Sequence, residues 1–124
     1  MYIYYNPNPD SKSTSDCVIR ALTLAVNKNW EETYLDVVTE GFLMHEMPSV
    51  NGVWGNYLFK HGFTKYVIPN TCPYCYTVKQ FCIDNPRGTF VLGTGTHAVT
   101  VVDGNYYDTS DSGNEVPIYY WKKP

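Results

Sequence analysis

Residues Gly95-Thr-His-Ala-Val-Thr-Val-Val-Asp-Gly-Asn-Tyr-Tyr-Asp108 read as a strand, a two-residue turn and a second strand. Ala98 to Val102 is rich in β-branched side chains, Tyr106 to Thr109 continues in the same vein, and Asp103-Gly104 between them is the strongest kind of hairpin signal. A turn centred on those two residues pairs Val102 with Asn105 and hence Val99 with Asp108. Opposed residues share a face and side chains alternate along a strand, so Asp108 falls on the face of His97, one diagonal step away. In the same register Asp111 falls on the other face and Asp103 sits in the turn.

Around this hairpin the second half of the chain is β-rich. Thr64 to Ile68 and Thr89 to Leu92 are short strand-like runs, with a helix from about Thr77 to Asp84 between them, closed by Pro86 and Gly88. Val116 to Trp121 makes a last strand, and Pro117, which cannot donate to a ladder, marks it as an edge. The first half is helical. Val18, Leu22, Ala25 and Val26 recur at helical spacing from about Asp16 to Val26, with Ser15 or Asp16 as N-cap. Asn29 followed by Glu32 forms a capping box, and Trp30, Tyr34, Val37, Val38 and Leu43 continue it as a second helix. Asn51 caps a third, through Val53, Trp54, Tyr57, Leu58 and His61, with Gly62 as its C′ residue. Tyr2, Tyr4 and Tyr5 form an extended lead-in, and two Asn-Pro pairs and a Ser/Thr-rich loop follow. The order predicts an α+β fold, N-terminal helices packed against a C-terminal antiparallel sheet. With no linker, repeat or low-complexity tract, residues 1–124 read as one domain.

The 124 residues are 44% hydrophobic and 17% charged, which describes a folded chain with a core of its own. Nine basic against twelve acidic residues give a net charge of −3, too little positive field to grip a phosphate backbone, so no nucleic-acid partner is expected. No apolar run approaches the roughly 20 residues that cross a bilayer, and the opening lacks the basic and apolar regions of a signal peptide. The expectation is a cytoplasmic protein with no membrane partner, whose four cysteines are thiols before they are disulfides.

Cys17 opens the first predicted helix, where the positive end of the helix dipole and uncapped N–H groups lower a thiol pKa and offer donors to an oxyanion. An adjacent Asp16 carboxylate opposes this by repulsion if it lies close. His97 with a same-face Asp108 gives an imidazole whose tautomer is held and whose imidazolium is stabilised. Cys, His and Asp in that order are the elements of thiol nucleophilic catalysis.

Asp16-Cys-Val-Ile-Arg-Ala21 together with the Gly95 to Asp108 block resembles the compact papain-like cysteine peptidases of bacterial and phage genomes, over nearly the whole chain. The resemblance implies a papain-like fold, Cys17 as nucleophile, His97 as general base and acid, and Asp108 as orienter. It also implies a peptide or protein substrate cleaved at an amide bond, and no cofactor or metal. The sequence departs from that family in one respect. No Gln precedes the Cys to complete the oxyanion hole, the only one being Gln80. Asn6 or Asn8, or the hydroxyl of Ser13 or Thr14, is the candidate replacement.

Three other features compete for function. Thr71-Cys-Pro-Tyr-Cys75 resembles the active-site turn of glutaredoxins, without the later cis-Pro loop and Gly-Gly turn of that family, and makes a thiol redox role an alternative. Cys72 and Cys75 with Cys82 and His61 would make a Cys₃His zinc set, although only one close pair is present. A catalytically degenerate binding or regulatory protein on the same fold is the third alternative. His45 reads as a surface residue. The twelve tyrosines suit the sheet, and any beside Cys17 would hold an extended substrate.

Overall fold

The computed structural model describes all of residues 1–124. Ten elements follow one another: β1 (Tyr2–Tyr4), α1 (Cys17–Val26), α2 (Trp30–Met44), α3 (Asn51–Lys60), β2 (Thr64–Val67), α4 (Val78–Asp84), β3 (Thr89–Gly93), β4 (Ala98–Val102), β5 (Asn105–Asp108) and β6 (Tyr119–Lys122). Local chemistry accounts for several of these bounds. The Asn29 side chain accepts the Glu32 N–H at 2.8 Å and starts α2. Thr77 does the same for Gln80 at the head of α4. Asp103 and Gly104 both take positive φ, 49° and 78°, as a tight hairpin requires. At α3 the expected cap is displaced by one residue: Val50 is the N-cap, and Asn51 instead accepts from the Trp54 indole at 3.2 Å.

The strands form one six-stranded sheet in the order β1-β5-β4-β3-β6-β2. The β4–β5 ladder carries the expected register, Val102 opposite Asn105. Two expectations are corrected. The sheet is mixed, because β1 runs parallel to β5 at the edge, Tyr2 opposite Tyr106. The last strand is not an edge, since β6 lies between β3 and β2, and Pro117 sits before it, where no ladder bond is asked of it.

Alternation along the strands gives the sheet two buried faces. Val91, Ala98, Tyr119 and Trp121 pack under α1, α2 and α3 with Leu22, Ala25, Val37, Val53, Trp54 and Leu58. Phe90, Leu92, Val99, Val101 and Tyr106 pack under α4 with Val78, Phe81 and Cys82. The central strands are therefore buried on both sides, and β4, Thr100 apart, reads as an apolar run. One polar tie fixes α1 on the sheet: the buried Thr100 hydroxyl donates to the Ala21 carbonyl at 2.6 Å. A second comes from the chain's opening, where the Tyr5 and Thr23 hydroxyls share a 2.8 Å hydrogen bond. No helix is long and apolar enough to cross a membrane.

Candidate active site

Cys17 is the first residue of α1. Asp16 occupies the N-cap position but makes no capping bond. Its carboxylate is turned away, accepting from Arg20 Nη1 at 2.8 Å and from the Trp30 indole at 2.9 Å. The first-turn N–H groups of α1 are thus left uncapped, and the charge of Asp16 is matched by a cation.

His97 lies just before β4, and Asp108 is the last residue of β5. The two meet where the β4–β5 ladder has stopped, so their side chains need not follow strict alternation and turn toward the start of α1. Asp108 Oδ2 accepts from His97 Nε2 at 2.6 Å and from the Ser112 hydroxyl at 2.8 Å. Oδ1 accepts from Arg20 Nη2 at 2.9 Å and from the Thr109 N–H at 2.7 Å. The carboxylate is 1% exposed, so four donors meet a charge that water cannot reach. With Nε2 committed to Asp108, Nδ1 is the ring nitrogen left for Cys17.

The electrostatics follow from these contacts. Burial pushes the Cys17 thiol up, but hydrogen bonding to His97 and to the Ala98 N–H, with the charges of His97 and Arg20, outweighs it and holds the pKa below the ordinary thiol value. Hydrogen bonds to Asp108 and Cys17 raise His97 to about 10, against the opposing effect of burial. Burial also works to raise Asp108, and its bonds from His97 and Ser112 bring it below the usual carboxylate range. Both partners move toward a thiolate beside an imidazolium, the nucleophilic form.

A cleft of about 440 Å³ opens on this pair. Ser15 to Ile19 and Gly95 to Ala98 line it. Tyr34, Val38, Met47, Pro48 and Trp54 supply an apolar side. The structure therefore brings together the three residues read from the sequence. It also adds three that the reading missed: Arg20, Ser112 and Trp30. Arg20 stands four residues after Asp16, the spacing of a helical ion pair, which was the available signal. Ser112 and Trp30 carried none.

Several expectations need correction. Asn6, Asn8, Ser13 and Thr14 do not line the cleft. The Asn6 amide donates to Lys12, and the Asn8 carbonyl oxygen accepts from Asp10 and Lys12, so both shape their own loop. Ser15 and Asn51 are the residues of those types that do line it. Cys72 and Cys75 are joined by a disulfide, because the four-residue turn brings their Cα atoms to 4.2 Å, whereas Cys17 and Cys82 remain thiols. The Cys72, Cys75, Cys82 and His61 set is not assembled, and no three His, Cys, Asp or Glu side chains are grouped as a metal site. His61 is occupied by the Tyr57 carbonyl at 2.8 Å. His45 is exposed and closes α2 in the left-handed conformation.

Comparison with known protein families, curated proteins and solved structures finds none that matches this chain.

Proposed function

We propose that the chain is a papain-like cysteine hydrolase that cleaves amide bonds of a peptide or protein through Cys17, His97 and Asp108. The observation that carries this reading is the His97–Asp108 bond of 2.6 Å, in which the ring opposes a thiol at an uncapped helix start inside a cleft. The chain order supports it as well, a helix bearing the thiol first and strands bearing the imidazole and carboxylate later.

In the proposed reaction the Cys17 thiolate attacks the substrate carbonyl, and the oxyanion that forms is met by N–H groups of the first turn of α1. Ser15 and Asn51, which line the cleft, are the proposed side-chain contributors. The His97 imidazolium gives its proton to the leaving nitrogen, the C–N bond breaks, and an acyl thioester remains on Cys17. His97, now neutral, takes a proton from water as the water attacks the thioester. Collapse releases the acid and returns the thiolate and imidazolium. Asp108 keeps Nε2–H bonded throughout, so the ring neither rotates nor loses its charge prematurely.

The test is alkylation by iodoacetamide as a function of pH, followed by peptide mass analysis. Cys17 is expected to react preferentially near pH 6, the rate rising with thiolate formation below the ordinary thiol range and changing again near pH 10 as His97 loses its proton. His97→Ala abolishes the preference. Equal labelling of Cys17 and Cys82 across this range rejects the reading. Trapping an acyl adduct on Cys17 excludes a site that only binds.

A further inference from the structure

We infer that Arg20 is a positioning residue for this site, fixing the Asp108 carboxylate against His97 and tying it to the helix that carries Cys17; the inference rests on the cysteine-hydrolase reading above. Arg20 is 5% exposed, and an unpaired guanidinium does not persist at such depth. Its two Nη atoms are divided between two carboxylates, Asp16 Oδ1 at 2.8 Å and Asp108 Oδ1 at 2.9 Å. Those carboxylates come from opposite ends of the chain. One is at the head of α1, where its second oxygen is held by Trp30, and the other is at the end of β5. Arg20 thereby sets the distance between the element that presents the thiol and the element that orients the imidazole.

The way Asp108 divides its acceptors gives the bridge its effect. Arg20 and the Thr109 N–H take Oδ1, while His97 and Ser112 take Oδ2. With every donor in place the carboxylate cannot rotate about its own axis, and Oδ2 stays in line with Nε2. Without Arg20, Oδ1 keeps only the Thr109 N–H and the carboxylate is free to turn, while Asp16 loses the same cation. A carboxylate that has turned no longer holds Oδ2 in line with Nε2, and the imidazolium loses the hydrogen bond that chiefly supports it. A guanidinium supplies this planar two-way grip, whereas a lysine ammonium is a point charge that satisfies one partner well at a time.

The experiment compares wild type, Arg20→Gln and Arg20→Lys, each confirmed folded by near-ultraviolet circular dichroism. It reads the Cys17 alkylation rate from pH 5 to 10 and the nitrogen chemical shifts of the His97 ring. Arg20→Gln is expected to move the acid limb up by about one pH unit, equivalent to about tenfold slower labelling at pH 6, and to shift the ring toward its neutral form. Arg20→Lys gives a smaller upward displacement. A folded Arg20→Gln with the wild-type limb and ring shifts overturns the inference and leaves the hydrolase reading intact. If Arg20→Gln does not fold, Arg20→Lys decides, a displaced limb supporting the inference and a wild-type limb overturning it. Absence of preferential Cys17 labelling in the wild type overturns both.

Discussion

Asp108 is the residue on which the site converges, since its side chain joins β5 to α1, to His97 just before β4 and to the segment through Ser112. Replacement by Asn keeps the size and removes the charge. The His97 pKa then falls from about 10 toward the ordinary imidazole value, because the bond to Asp108 is the first cause of its elevation. Labelling of Cys17 at pH 6 is expected to slow by at least about tenfold in Asp108→Asn, measured over pH 5 to 10, with the acid limb displaced upward. His97 and Asp108 were legible as neighbours because a turn at Asp103 and Gly104 sets the hairpin register, and Cys17 from its place at a helix start; the ladder ends at Thr100 and Tyr107, so the final direction of both side chains came from packing against α1. Arg20 was not legible in its role. From sequence it is the partner of Asp16 one turn away, and only the approach of β5 over α1 turns a helical pair into a bridge.

The elements divide into those fixed by their own residues and those fixed by their neighbours. α2 belongs to the first kind, with Asn29 and Glu32 at its head. Asn29→Ala is expected to destabilise the protein by about 1 kcal/mol, lowering the thermal midpoint by a few degrees in calorimetry, without altering Cys17 labelling. β1 belongs to the second kind. Tyr2, Tyr4 and Tyr5 have the side chains of a strand, but the partner lies about a hundred residues on, Tyr2 opposite Tyr106, and a parallel pairing leaves no turn signal to read. Its placement bears on the site, since the Tyr2 hydroxyl and the Tyr5 N–H both bond the Asp108 carbonyl, at 3.1 and 2.9 Å. Pro117 misled because it precedes the strand and lies outside its ladder, β6 beginning two residues later.

At the scale of the molecule, the central strands are covered on both faces, so the fold is expected not to depend on the Cys72–Cys75 bond. Its loop is four residues long and exposed, with Tyr74 at 89%, so in the chain-entropy account it contributes no more than about 2 kcal/mol. The double variant Cys72→Ser and Cys75→Ser is expected to remain folded, with a loss within that figure by denaturant titration and the wild-type Cys17 labelling profile. Loss of the folded state would mean that the core under α4 depends on this loop.

The amino-acid order by itself determined the helical first half, the strand-rich second half, the hairpin register and the residue types able to do thiol chemistry, because caps, turns and periodicity act within a few residues. Tertiary structure alone decided that β1 pairs in parallel with β5, that β6 lies inside the sheet, and that Arg20 spans two carboxylates. Each of these depends on groups distant in the chain becoming neighbours under burial, where an unpaired charge or an unmet hydrogen-bonding group is costly enough to select its partner.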